Sequence, residues 1–121
     1  SSGGSTQWLT KKFDSMGQED ALGWNKILPY YSKGLDIATD GAGNVFMAGY
    51  LYSKVGTSSQ YDFAIKKYSG AGLEDTLNWD RKFDYANYYD YATGMAIDTS
   101  GNLYVCGTAG NGGLWIKKFN P

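Results

Sequence analysis

Residues 37–49, Ile-Ala-Thr-Asp-Gly-Ala-Gly-Asn-Val-Phe-Met-Ala-Gly, and residues 95–107, Met-Ala-Ile-Asp-Thr-Ser-Gly-Asn-Leu-Tyr-Val-Cys-Gly, are two copies of one hairpin sequence. Each copy has a short apolar run, the turn Asp-x-x-Gly-Asn, and a second apolar run that ends at Gly. The Asp side chain can accept hydrogen bonds from backbone N–H groups two residues on, and Gly-Asn supplies the positive φ values of a tight turn. A hairpin that occurs twice predicts a repeat architecture.

Two further patterns repeat around this hairpin. A Lys-Lys pair between apolar and aromatic residues occurs at 11–12, 66–67 and 117–118, at spacings of 55 and 51 residues. An acidic turn followed by Trp occurs at 17–26 and again, without a gap, at 72–81. One unit of the repeat is therefore predicted to contain four strands, at residues 35–40, 44–50, 62–68 and 77–83.

Four short strands in each repeat of about 50 residues are typical of a β-propeller blade. The strand at 44–50 is apolar at successive positions, which predicts that it is covered on both faces. The alternative is a β-sandwich, which also uses many short strands but does not explain a repeat of whole four-strand units. We therefore predict an all-β fold of four-stranded antiparallel blades.

The run at 91–108, Tyr-Ala-Thr-Gly-Met-Ala-Ile-Asp-Thr-Ser-Gly-Asn-Leu-Tyr-Val-Cys-Gly-Thr, resembles the SBBP β-propeller repeat of bacterial surface and secreted proteins. That repeat has an aspartate-led hairpin, then a strand ending in Lys and an aromatic residue, then a Gly turn and a Trp. Residues 63–79 supply this later half, and the resemblance extends from Trp8 to Phe119. It implies a propeller fold and an extracellular or cell-surface location in bacteria. It implies little about activity.

The strand count predicts about two blades plus an extra strand, which is an incomplete ring. We expect a flexible N-terminal segment at 1–6 and a repeat domain at 7–121, composed of a partial blade at 7–33, a full blade at 34–84 and a partial blade at 92–120. A propeller closes its ring with at least about four blades. The chain is therefore expected either to be a piece of a longer propeller or to assemble with copies of itself as a ring or a filament.

If copies assemble, the strand that begins at Trp24 could complete the C-terminal blade of a neighbouring chain. The candidate edges for such strand complementation carry aromatic side chains: Trp8, Phe13, Trp24, Trp115 and Phe119. The strand at 8–13 has no place in this scheme beyond pairing at an outer edge or between rings.

Most of the tyrosines are predicted to share one face of the propeller. In a four-stranded meander the loops at 29–31, 51–61 and 85–91 leave from the same side, and they place eight of the 11 tyrosines there: Tyr30, Tyr31, Tyr52, Tyr61, Tyr85, Tyr88, Tyr89 and Tyr91. Tyrosine is favoured where one side of a ring is apolar and the other is wet. This face either binds a protein or a sugar, or packs between loops and between stacked assemblies.

Composition excludes several classes of function. The net charge of −1 provides no field that would attract nucleic acid or an anionic membrane. The absence of His removes the commonest general base, and the single Cys106 excludes a disulfide within the chain. No stretch approaches the roughly 18 to 20 apolar residues of a membrane span. We therefore expect no catalytic residues, no cofactor, no partner among nucleic acids and no insertion into a membrane.

The aspartates of the repeated turns are weak candidates for a metal site. Asp40 with Asn44, and Asp98 with Asn102, offer oxygen atoms, but Ca²⁺ needs six to eight ligands in a different spacing. Turn chemistry explains these residues, so no metal is predicted. The function favoured by the sequence is a non-enzymatic, extracellular β-propeller module that is structural or self-assembling. The alternative is a carbohydrate-binding, lectin-like module that uses the tyrosine-rich face.

Overall fold

In a computed structural model, which describes residues 6–55, 58–83, 89–110 and 112–121, the chain forms β-strands and no helix. The strands are β1 Gln7–Thr10, β2 Lys26–Tyr30, β3 Ser32–Thr39, β4 Val45–Val55, β5 Ser58–Tyr68, β6 Arg81–Phe83, β7 Tyr91–Ile97, β8 Leu103–Thr108 and β9 Leu114–Phe119. They form a first sheet (β1-β2), a central sheet (β3-β4-β5-β6) and a third sheet (β7-β8-β9). All pairs are antiparallel. The prediction of an all-β fold built from incomplete propeller blades is confirmed.

The repeated hairpin closes as the Asp-x-x-Gly-Asn pattern predicts. The Asp40 N–H donates to the Asn44 carbonyl and the Gly43 N–H donates to the Asp40 carbonyl, each over 3.1 Å. This is a type I turn followed by a left-handed glycine, with a φ of 83° at Gly43. The second copy repeats it, with a φ of 82° at Gly101. Only the glycine is left-handed, so the prediction of a positive φ at the following Asn was wrong.

Four predicted strand boundaries were also wrong. The first strand of the central sheet begins at Ser32 rather than at residue 35. The central hairpin is longer than predicted, because β4 continues to Val55 and β5 begins at Ser58. The predicted long loop at 51–61 is therefore mostly paired strand, and Tyr52 lies opposite Tyr61 in this pairing. The last strand of the central sheet spans only Arg81–Phe83, since the Asp75 carboxylate accepts the Asn78 N–H over 3.1 Å and holds the preceding residues in a turn.

Both faces of the central sheet are covered. On one face, Phe46 packs with other buried side chains of the central sheet against the third sheet. On the other face, Met47 packs with Trp8 and Trp24 of the first sheet. This confirms the prediction that the apolar strand at 44–50 is covered on both sides. Burying a side chain of this size contributes about 1.5–3 kcal/mol, so the two contacts hold the three sheets together.

The first strands of the central and third sheets lie next to each other. The Asp36 carboxylate on β3 accepts the Met95 N–H on β7 over 2.8 Å. Both β3 and β7 contain a β-bulge. The strand paired with each bulge, β4 or β8, has a glycine next to the bulge. A Cβ on Gly49 or Gly107 would lie 2.0 Å from a backbone carbonyl oxygen, so a larger residue does not fit there.

Candidate interaction surfaces

The third sheet has one covered face and one uncovered face. On β8 and β9, side chains that point toward the central sheet alternate with side chains that point away from it. The outer face of the third sheet comprises Tyr104, Cys106, Leu114 and Ile116. Cys106 lies directly opposite Ile116 in the strand pairing, and Leu114 and Ile116 are 75% and 69% exposed. This face is therefore largely apolar and open to solvent.

The same positions of the repeat are buried in the central sheet. They are Phe46, Ala48, Phe63 and Ile65, all at most 1% exposed and packed on the third sheet. The two sheets also share a contact between a lysine and an aromatic ring at these positions. Lys67 Nζ lies 5.2 Å from the centre of the Phe46 ring, and Lys118 Nζ lies 5.7 Å from the centre of the Tyr104 ring. The outer face of the third sheet thus reproduces the face on which the central sheet carries a neighbouring blade.

The first sheet also has an exposed apolar face, formed by Leu9, Phe13 and Ile27. Leu9 lies opposite Ile27 in the strand pairing, and the three side chains are 53–56% exposed. In the central sheet, the repeat positions of Leu9 and Phe13 are occupied by Ala64 and Tyr68, which are buried against the first sheet. The outer face of the first sheet therefore corresponds to the face of the central sheet that packs on the first sheet. The outer face of the third sheet corresponds to the face of the central sheet that packs on the third sheet.

Four of the five aromatic residues that the sequence analysis assigned to strand-complementation edges lie in contacts between sheets of this chain. Trp8 and Trp24 are buried between the first and central sheets. Trp115 and Phe119 are half-buried between the central and third sheets. Phe13 is exposed.

Strand pairing gives residues 8–13 a place that the sequence analysis lacked. β1 pairs with β2, so it is the third strand of the first blade, with β2 as the fourth. The strand that begins near Trp24, expected to complete the blade of a neighbour, is paired inside its own chain. The Trp8 N–H also donates to the buried Ser32 Oγ over 2.9 Å, which ties β1 to the start of the central sheet.

Five of the eight tyrosines of the predicted binding face are in contact with other tyrosines. Tyr52 lies with its ring centre 5.5 Å from that of Tyr31 and 5.9 Å from that of Tyr61, which in turn lies 5.4 Å from Tyr89. The fifth is Tyr91. The side chain of Tyr30, and all of Tyr85 and Tyr88, lie outside the described residues.

Tyr50 belongs to this cluster and was missed from the sequence. Its ring centre lies 4.9 Å from that of Tyr61 and 5.0 Å from that of Tyr91. Alternation would have found it, because Tyr50 and Tyr52 are two residues apart on one strand and so point to the same face. Burial, together with the neighbouring tyrosines, raises the pKa of Tyr91 above its ordinary value. The rings of Tyr31, Tyr52 and Tyr89 remain exposed.

The carboxylates of Asp40 and Asp98 accept hydrogen bonds from N–H groups of their own turns. The Asp40 carboxylate accepts the N–H groups of Ala42 and Asn44 and the Asn44 side-chain amide, over 2.9–3.0 Å. Burial acts to raise the pKa of Asp40, but these hydrogen bonds outweigh it and lower the pKa. The hydrogen bond from the Asn102 side chain lowers the pKa of Asp98. In the described part of the chain, acidic, His and Cys residues form no group of three or more suited to a metal ion.

Glu74 and its counterpart in the first blade, Glu19, both form ion pairs with lysines. Lys66 is buried, and its Nζ donates to Glu74 Oε1 and Asp80 Oδ1, each over 2.7 Å. Glu19, at the position of Glu74 in the first blade, pairs with Lys11. Burial acts to lower the pKa of Lys66, but its hydrogen bonds to Asp80 and Glu74 outweigh burial and raise the pKa. Glu74 is thus part of the internal framework of the blade.

Comparison with known families identifies one segment of the chain. Residues 84–114 match the family model SBBP, described as a beta-propeller repeat. No curated protein matches the chain. The match contains β7 and β8, the second copy of the hairpin, and confirms the resemblance there. Among the described residues, no helix is long and apolar enough to cross a membrane.

Proposed function

We propose that this chain, which carries a β-propeller repeat, is a non-enzymatic structural module that works through protein–protein contact and assembles with copies of itself. One observation carries the proposal. Both outermost sheets present apolar side chains to solvent, Leu9 and Phe13 on the first sheet and Leu114 and Ile116 on the third. The same repeat positions are buried or partly buried where a neighbouring blade is present, as Ile116 shows beside its buried counterpart Ile65.

Physical arguments favour contact through these faces. Covering a side chain such as Leu114 or Ile116 contributes about 1.5–3 kcal/mol. Contiguous exposed apolar surface is also a mark of interaction sites.

We place this module outside the cell, at or near a bacterial surface. The support for this location is the resemblance to SBBP repeats, which occur in bacterial surface and secreted proteins. A structural role also agrees with the general character of the repeat, which is a non-catalytic module.

Light scattering over a dilution series tests the proposed assembly. We expect a particle whose mass is a multiple of 13.3 kDa and falls on dilution. Ile116→Glu should lower that mass, because it places a charge on the outer face of the third sheet. Leu22→Glu, at a fully exposed turn position, is the matched control and should leave the mass unchanged. A mass of one chain at every concentration would overturn the proposal.

Carbohydrate binding is a second candidate function, favoured by the exposed rings of Tyr31, Tyr52 and Tyr89 in the tyrosine cluster. Aromatic faces of this kind can stack on sugar rings. Retention on a glycan array tests it, with Tyr89→Ala as the variant. Tyr104→Ala, on the third sheet, serves as the control. Retention that is lost only in Tyr89→Ala would support this function, and no retention by the wild-type chain would exclude the glycans tested.

A further inference from the structure

We infer that the outer face of the third sheet of one copy docks on the outer face of the first sheet of the next copy. The copies then stack head to tail and continue the series of blades. This inference rests on the proposed self-assembly and names its two surfaces. The occupant of the third sheet's outer face is thus a second copy of this chain.

The chain shows the required contact twice. The first sheet packs Trp8 and Trp24 on one face of the central sheet, and the central sheet packs Phe63 and its neighbours on one face of the third sheet. Each contact joins a forward face, which points toward the later sheet, to a backward face, which points toward the earlier one. The aromatic contacts recur as well, since the ring centres of Trp24 and Tyr68, and those of Trp79 and Phe119, are both 5.8 Å apart.

Of the two exposed faces, that of the third sheet is a forward face and that of the first sheet is a backward face. Leu114 and Ile116 lie on the forward face of the third sheet, at the positions of Phe63 and Ile65. On the first sheet, Leu9 and Phe13 lie on the backward face. The position of Phe13 is the one at which Tyr68 and Phe119 receive a Trp from the preceding blade. The β9 side chains of one copy can therefore meet the β1 side chains of another as the corresponding strands meet within the chain. The third sheet has three strands in the described part of the chain, so no counterpart of Trp24 or Trp79 takes part in this contact.

Docking face to face keeps every strand pair that the structure contains. Completion of the third sheet by a strand of another copy requires β2 to leave β1 and to break the pairing of Leu9 with Ile27. Interfaces of preorganised partners change little on binding, so the route without rearrangement is favoured. Because the two surfaces differ, the contact is heterologous and generates a closed ring or an open filament.

Disulfide cross-linking between two single variants tests this contact. Both variants carry Cys106→Ala, which is the residue found at that position in the central sheet. One adds Leu9→Cys and the other adds Leu114→Cys. Their repeat counterparts, Trp115 and Phe63, have ring centres 4.5 Å apart. After mild oxidation, the mixture should give a covalent dimer severalfold above either variant alone. Leu22→Cys mixed with Leu114→Cys is the control and should give the background amount.

The outcomes separate this contact from self-assembly in general. A particle with the mass of several chains, but with cross-linking at the control level, would overturn the head-to-tail contact and leave self-assembly standing. A particle with the mass of one chain would overturn both. Cross-linking that appears only when the variants are unfolded and refolded together would indicate strand exchange, and it would also overturn docking between intact faces. Circular dichroism of each variant confirms that the substitutions leave the fold intact.

Discussion

The central sheet and the third sheet are copies of one repeat that differ in what covers them. Phe63 and Leu114 occupy the same position, yet Phe63 is fully buried and Leu114 is 75% exposed. Gly49 and Gly107 also occupy the same position, and in both a Cβ would lie 2.0 Å from a carbonyl oxygen of the paired strand. In this repeat, internal geometry is therefore set by the sheet itself, whereas burial of its outer positions is set by the neighbouring blade.

Truncation of the side chain at the repeat position of Phe63 and Leu114 should show the largest difference in stability between the central and third sheets. Phe63→Ala removes a fully buried ring that lies against Phe83 and Trp115, and it should cost about 3–5 kcal/mol of unfolding free energy. Leu114→Ala should cost no more than about 0.5 kcal/mol. Urea unfolding, at a dilution where the particle is a single chain, measures both. Equal losses would show that the third sheet is covered within the chain.

Substitution of the glycine at the repeat position of Gly49 and Gly107 should lower the stability of both sheets to a similar extent. Gly49→Ala and Gly107→Ala each place a Cβ 2.0 Å from a carbonyl oxygen, so the backbone must shift. We expect a loss of about 1–3 kcal/mol from each variant, as is usual for overpacking. The same urea experiment applies. A large loss from Gly49→Ala with none from Gly107→Ala would mean that the third sheet lacks the internal order of the central sheet.

Alkaline pH should distinguish the residues at the end of β5 and β9, where the central sheet has Tyr68 and the third sheet has Phe119. Burial, with the nearby Glu74 charge, raises the pKa of Tyr68 from 10.0 to about 12. The folded state therefore keeps this phenol protonated, and its stabilising effect is complete below pH 10 and is lost as the pH rises toward 12. Tyr68→Phe should lose less stability over that range, as measured by unfolding at pH 9 to 12. Parallel losses in both proteins would contradict burial of the Tyr68 hydroxyl.

Acid should have a smaller effect that is alike in both hairpin turns. The pKa values of Asp40 and Asp98 are lowered by hydrogen bonds within their turns. The stabilisation from each is present above the ordinary carboxyl pKa and is lost as the pH falls through the lowered value. Asp40→Ala and Asp98→Ala should each lower the urea midpoint slightly at pH 7 and should match the wild type more closely in acid. A midpoint difference that persists unchanged in acid would rule out the charged carboxylate as its cause.

The fold was predictable because its signals are local and repeated. The spacing of the lysine pairs and the two copies of the Asp-x-x-Gly-Asn turn predicted the blades, and apolar residues at successive positions of β4 predicted a sheet covered on both faces. The strand extensions to Val55 and from Ser58 were not predictable from hydrophobicity, since they carry polar residues and are held by pairing across the hairpin.

The candidate surfaces were less predictable, because exposure depends on the neighbouring sheet. The run Leu103-Tyr104-Val105-Cys106 resembles Val45-Phe46-Met47-Ala48 in sequence, but only the latter is covered on both faces. In the same way, the sequence pattern made Trp8 and Trp24 candidates for strand complementation between copies, and both are buried against the central sheet of their own chain. Which copy of a repeat is covered is a property of the packing of sheets, which a repeat sequence does not encode position by position.

Electron cryomicroscopy of the native particle tests the central claim most directly. We expect consecutive blades in which Leu114 and Ile116 of one copy lie against Leu9 and Phe13 of the next. Particles with the mass of one chain, or assemblies in which the outer face of the third sheet stays open to solvent, would contradict it.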